Sequence, residues 1–86
     1  QNYPNPFNAA TTIEFQLATP AAVELTLYDA IGQKIRTLVA RHLAAGYYRT
    51  QWNGRNDAGH TVASGIYFYR LRAGGYLATK QLTLLK

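Results

Sequence analysis

The sequence predicts an all-β fold, an antiparallel sandwich of about seven short strands. Three observations carry that expectation. Apolar residues alternate with polar ones at period two, in runs rich in β-branched and aromatic types. Clusters of Gly, Asn, Asp and Pro return between those runs at near-regular spacing. No long segment shows the 3.6-residue period of a helix, and there is no internal repeat.

The runs are taken in chain order. Asn2 to Asn8, N-Y-P-N-P-F-N, places prolines at positions 4 and 6, which oppose regular pairing and favour an extended or turning lead-in. Residues 1–8 are therefore expected to be a linker that delivers Phe7 to the domain edge, with the sandwich over 9–86. In Thr12–Leu17, Ile13, Phe15 and Leu17 share one face and Glu14 and Gln16 the other. Val23, Leu25 and Leu27 alternate with Glu24 and Thr26 after a break at Thr19-Pro20. Asp29-Ala30-Ile31-Gly32 is a turn into a strand over Gln33–Val39. Arg41 to Gly46 is expected to break the pattern, and Leu38 to Ala45 is compatible with a short helical turn.

Tyr48, Thr50 and Trp52 then share a face, as do Tyr67, Tyr69 and Leu71 within Ile66–Ala73. Gly74-Gly75 is a two-residue hairpin signal of the I′/II′ type, and Tyr76 to Leu85 is the last strand, with Leu82 and Leu84 inward.

The densest turn chemistry is W-N-G-R-N-D-A-G-H-T-V-A-S-G-I-Y, from Trp52 to Tyr67. Gly54, Gly59 and Gly65 supply backbone freedom there, and Asn53, Asn56 and Asp57 can bond their own backbone. Tyr67 sits just inside a strand after a long corner. That is the position of the tyrosine corner of immunoglobulin-like sandwiches, whose hydroxyl bonds back to upstream backbone. Trp52 would fill the inter-sheet core. An immunoglobulin-like or fibronectin III-like arrangement follows, with Trp52, Gly54, Asp57, Gly59, Gly65 and Tyr67 as structural residues.

Composition limits the function. At 86 residues the chain is one small domain, and 48% hydrophobic with 13% aromatic content suits a packed core rather than disorder. The absence of cysteine removes disulfides, thiolate metal sites and cysteine nucleophiles. The net charge of +5 comes from Lys34, Arg36, Arg41, Arg49, Arg55, Arg70, Arg72, Lys80 and Lys86, which are too spread for a nucleic-acid reader. The expectation for that charge is a solvated surface; the functional alternative is weak attraction to anionic polymers such as acidic polysaccharide or lipopolysaccharide. No apolar run is long enough to span a membrane. The chain begins at Gln1 with no visible signal peptide, and so reads as a module cut from a longer protein.

No catalytic constellation emerges. Asp57, His60 and Ser64 are the residue types of a hydrolase triad, but they lie on one loop and Ser64 sits in A-S-G rather than G-x-S-x-G. Asn53, Asn56 and Asp57 offer oxygens for calcium, yet Arg55 sits among them and no Glu follows. His42 and His60 are isolated, which argues against zinc. Glu14, Glu24, Asp29 and Asp57 are the only acids; Glu14 and Glu24 fall on outward strand positions, and so small a sandwich hardly provides the substrate groove that a glycosidase pair needs. Outward Tyr47, Phe68 and Tyr76 are the candidates for stacking on sugars. The expectation is a module with no catalytic residue, no metal and no cofactor.

On these residues the chain resembles the C-terminal sorting domains, type A, of the type IX (Por) secretion system. It also resembles the immunoglobulin-like domain of the flagellar hook-capping protein. Tyr3-Pro4-Asn5-Pro6-Phe7-Asn8 looks like the opening motif, Leu27–Gly32 like a strand and turn, and Trp52–Tyr67 like the long central motif. Lys80-Gln81-Leu82-Thr83-Leu84-Leu85-Lys86 looks like the terminal strand with its basic ending. Asn53 departs from the Asp that often follows the Trp. The central motif is common to both families, and the opening motif and basic ending favour sorting.

The sorting resemblance implies a recognition signal at Lys80–Lys86 and an opening motif at Tyr3–Phe7. It implies a parent with a Sec signal, passage through the periplasm, and presentation to an outer-membrane translocon. It also implies a sortase-like peptidase that removes the module near its linker and joins the cargo to anionic lipopolysaccharide, for a secreted or cell-surface location. The alternatives are a structural adhesion module, or a carbohydrate-binding appendage of a secreted glycoside hydrolase.

Overall fold

Six strands organise the described residues, 11–85, of this computed structural model. They are β1 (Thr11–Leu17), β2 (Ala21–Tyr28), β3 (Lys34–Leu43), β4 (Gly46–Trp52), β5 (Gly65–Ala73) and β6 (Tyr76–Leu84). One sheet pairs β1 with β4, and the other runs β3-β2-β5-β6, all antiparallel. The all-β immunoglobulin-like sandwich stands, with six strands among the described residues rather than about seven.

Period two explains the core. Ile13, Leu17 and Trp52 from the small sheet meet Val23, Leu25, Leu27, Tyr67, Leu71, Ala73 and Leu84 from the large one. Leu25 and Leu27 have 0% exposure because β2 is held between β3 and β5 with the small sheet packed over it. Fully burying a leucine contributes roughly 1.5–3 kcal/mol relative to leaving it exposed. β2 is therefore the strand on which the sandwich closes.

The expected break over Arg41–Gly46, and the helical turn over Leu38–Ala45, are corrected. β3 continues to Leu43. Register irregularities opposite Leu25/Thr26 and Leu27/Tyr28 insert extra residues into β3. Leu38 and Val39, adjacent in sequence, consequently both pack against the core, along with Ile35. That insertion is what obscures period two in the sequence.

The two-residue loop Gly74-Gly75 closes the β5–β6 hairpin, with Ala73 paired to Tyr76. The β2–β3 turn is built on Asp29. Its Oδ1 accepts the N–H groups of Ile31 at 3.1 Å and Gln33 at 2.8 Å. Its own N–H donates to the Gln33 carbonyl at 2.9 Å.

Candidate functional site

The stretch between β4 and β5 crosses from the small sheet to the large one, and its local chemistry fixes its shape. Asn56 repeats the Asp29 turn bond for bond. Its Oδ1 accepts from Ala58 N–H at 3.0 Å and His60 N–H at 2.9 Å, and its N–H donates to the His60 carbonyl at 2.9 Å. In both turns a glycine at the fourth position, Gly32 or Gly59, donates its N–H to the carbonyl of the first residue. The pattern Asp/Asn-x-x-Gly-x thus occurs twice, as Asp29–Gln33 and Asn56–His60.

This corner is also tied to β3. Asp57 N–H donates to the Ile35 carbonyl at 3.0 Å, and Asp57 Oδ1 accepts from Thr37 N–H at 3.3 Å. The Arg36 guanidinium donates to Asn53 Oδ1 at 3.1 Å. Within the corner, the Arg55 guanidinium donates to the Gly59 carbonyl, and Val62 N–H to the Gly54 carbonyl, each at 2.9 Å. The corner therefore occupies part of the free edge of β3.

An aromatic stands at each foot of the corner. Trp52, with 0% exposure, donates its indole N–H to the Arg55 carbonyl at 2.8 Å. The Tyr67 hydroxyl donates to the Ala63 carbonyl at 2.6 Å. Burial pushes the Tyr67 phenol above its ordinary pKa, and the negative charge of Asp29 adds to the rise.

A second tyrosine does the same elsewhere, unanticipated from the sequence. The Tyr48 hydroxyl donates to the Ala44 carbonyl at 2.6 Å as the chain enters β4. Ala44-Ala45-Gly46-Tyr47-Tyr48 and Ala63-Ser64-Gly65-Ile66-Tyr67 share the pattern Ala-x-Gly-x-Tyr, and that shared spacing is the signal that finds both.

Asp57 is turned to the β3 backbone, His60 is held through its main chain to Asn56, and Ser64 is exposed just before Gly65. The amide oxygens of Asn53 and Asn56 already accept bonds from Arg36, Arg55, Ala58 and His60. Among the described residues no group of three or more His, Cys, Asp or Glu side chains is placed to hold a metal.

The other candidates are dispersed. Tyr48 and Tyr67 face the core, so their neighbours Tyr47 and Phe68 lie on opposite outer faces of the sandwich. Tyr76 lines a groove beside β1, so the three rings do not form one sugar platform. Lys80, Gln81, Leu82, Thr83 and Leu84 are residues of β6, paired with Tyr69, Phe68, Tyr67, Ile66 and Gly65. Leu85 is exposed; Lys86 and the opening motif Tyr3-Pro4-Asn5-Pro6-Phe7 lie outside the described residues.

The family profile of the FlgD Ig-like domain matches residues 4–75. Among solved structures, FlgD from P. aeruginosa is similar with a TM-score of 0.67 and 20% identity, over 87% of this chain and 59% of that one. FlgD from Xanthomonas campestris, whose structure addresses the hook capping essential for flagellar assembly, is similar with a TM-score of 0.58 and 23% identity. That likeness covers 90% of this chain and 55% of that one. This chain thus spans little more than half the length of either, and at such identities the likeness speaks for the fold. No curated protein matches it.

The profile match overturns the type IX sorting expectation. The opening motif, which had favoured sorting, falls almost wholly inside the matched span, so it does not separate the two families. The terminal stretch lies beyond that span, and from Lys80 to Leu84 it is an ordinary sheet strand. The expected partners, an outer-membrane translocon, a sortase-like peptidase and lipopolysaccharide, are withdrawn with it. So is the secreted or cell-surface location, which rested on that route. The adhesion and glycoside-hydrolase appendage readings give way to the same match.

Proposed function

The chain belongs to the FlgD Ig-like domain family, and from that premise we propose that it is a non-catalytic structural module of a larger hook-capping protein. Its task in this reading is to present a stiff sandwich face during flagellar hook assembly. The observation that carries the proposal is the profile match, which takes in most of the opening motif and the entire Trp52–Tyr67 corner.

Two features support a scaffold role over a catalytic one. Asp57, the acid of the triad-like set, is bound to β3, and Asn56 closes its own turn, so both side chains shape the corner. The corner also braces two sheets through Trp52 and Tyr67, which favours a module that keeps its shape under load.

The test is a domain exchange. The Ig-like domain of Xanthomonas campestris FlgD is replaced by residues 1–86 in a strain lacking its own FlgD, and hooks are counted by electron microscopy. Hooks of normal length support the proposal. A chimera that is produced and folded but yields no hooks, while the parent FlgD restores them, overturns it.

A further inference from the structure

Asn53 is the only asparagine of this chain that precedes a glycine. Asn2, Asn5, Asn8 and Asn56 are followed by Tyr3, Pro6, Ala9 and Asp57, which all carry a Cβ close to their backbone nitrogen. Gly54 has none, so in an open chain its nitrogen approaches the Asn53 side chain unhindered.

That approach leads to a reaction. The Gly54 nitrogen gives its proton to hydroxide and attacks Asn53 Cγ. An N–C bond forms, the Cγ–Nδ2 bond breaks, and ammonia leaves with a proton from water, which restores the hydroxide. The five-membered imide then takes up one water. Opening at one carbonyl gives aspartate. Opening at the other gives isoaspartate, whose main chain runs through Cβ and Cγ. The attack is intramolecular, so its rate rests on whether the two groups can meet.

In the folded corner both groups are held. Asn53 Oδ1 accepts from the Arg36 guanidinium at 3.1 Å and from Arg55 N–H at 3.2 Å, which fixes the carboxamide. Asn53 is exposed but Gly54 is buried, which screens its nitrogen from hydroxide. The Gly54 carbonyl is bonded by Val62 N–H at 2.9 Å, so the residue is fixed on its far side too. Arg36 belongs to β3, 17 residues away, so the carboxamide is released when the corner lifts from that strand.

We propose that Asn53-Gly54 is a self-modifying site, held unreactive while the corner is docked on β3 and converted when the corner opens. The two products differ in consequence. Aspartate at position 53 sets a carboxylate against the Arg36 guanidinium, and the tie to β3 becomes charge-assisted. Isoaspartate adds one atom to the main chain between Trp52 and Gly54. The bond from the Trp52 indole to the Arg55 carbonyl spans that stretch and loses its register.

The test compares residues 1–86 with a peptide of residues 50–57 at one alkaline pH and one temperature. Conversion is read as a mass gain of one dalton, placed at residue 53 by fragmentation. The peptide should react at least tenfold faster than the folded chain. Arg36→Ala should speed the reaction of the folded chain several-fold, and Arg41→Ala, elsewhere on β3, should not. Equal rates in peptide and folded chain overturn the proposal, whether or not Arg36→Ala folds. No conversion in the peptide overturns the chemistry, and an unchanged rate in folded Arg36→Ala overturns the role of the β3 tie. Chain enriched in isoaspartate should unfold at lower urea than the parent, whereas Asn53→Asp should not. Equal midpoints for the isoaspartate form and Asn53→Asp would overturn the contrast between the products.

Discussion

Tyr67 meets Trp52 edge to face, with ring centroids 5.1 Å apart and planes inclined at 74°. The pair lies at the base of the β4–β5 corner, and each ring also holds a backbone carbonyl of that corner. Edge-to-face pairs of this kind contribute about 0.5–1.5 kcal/mol beyond the area they bury. Both feet of the corner are thereby joined through the core.

Trp52→Ala should cost about 3–5 kcal/mol, because it opens a cavity and releases the Arg55 carbonyl. A domain of this size has a total stability of the same order. Urea unfolding should therefore find the variant largely unfolded in buffer; a midpoint close to the parent's would contradict the packing described.

Tyr67→Phe keeps the ring pair but removes the bond to Ala63, and should cost about 1–2 kcal/mol. Tyr48→Phe removes the equivalent bond to Ala44 at a more exposed place, and should cost about 0.5–1 kcal/mol. Equilibrium unfolding of both variants should preserve that order.

Tyr67 also sets a pH dependence. Its pKa in the folded protein is raised above the ordinary 10.0, by burial first and Asp29 second. Between the unfolded and folded values the unfolded chain holds fewer protons, so stability falls as pH rises. The stabilisation is complete below about pH 10 and is lost as pH climbs towards the raised folded value. Chemical unfolding from pH 8 to 11.5 should show a steeper decline for the parent than for Tyr67→Phe.

Much of this framework was legible in the sequence. Ile13, Leu17, Leu25 and Leu27 alternate cleanly, and Trp52 and Tyr67 bracket a run dense in turn residues. Leu38 and Val39 were not legible, because irregular pairing against β2 hides their common side. The tie from Asp57 to Thr37 spans 20 residues and has no local signature. The Tyr48 corner has a weaker signature for another reason: it follows a short turn, whereas the tyrosine corner of immunoglobulin-like sandwiches follows a long one.

The twin Asx turns exchange chemistry in a testable way. Asp29→Asn and Asn56→Asp each keep an oxygen able to accept both N–H bonds, and should change stability by less than about 0.5 kcal/mol. Asp29→Ala and Asn56→Ala lose two bonds each and should cost about 1–2 kcal/mol. Thermal unfolding of the four variants should separate them into those two pairs.

The glycines of the two Ala-x-Gly-x-Tyr corners provide the sharpest comparison. Gly46 and Gly65 hold φ values of +150° and +154°, and a Cβ at either would meet nothing within 4 Å. Space is therefore not the obstacle; the backbone conformation is. Alanine there should cost about 1–3 kcal/mol through local strain alone. Gly75 has equally open surroundings without a positive φ. Alanine at Gly75 should be neutral or stabilise by up to about 1 kcal/mol, since it narrows the unfolded ensemble. Unfolding of Gly46→Ala, Gly65→Ala and Gly75→Ala under one condition decides the matter. Equal effects at all three would mean that backbone conformation is not what the corners require of their glycines.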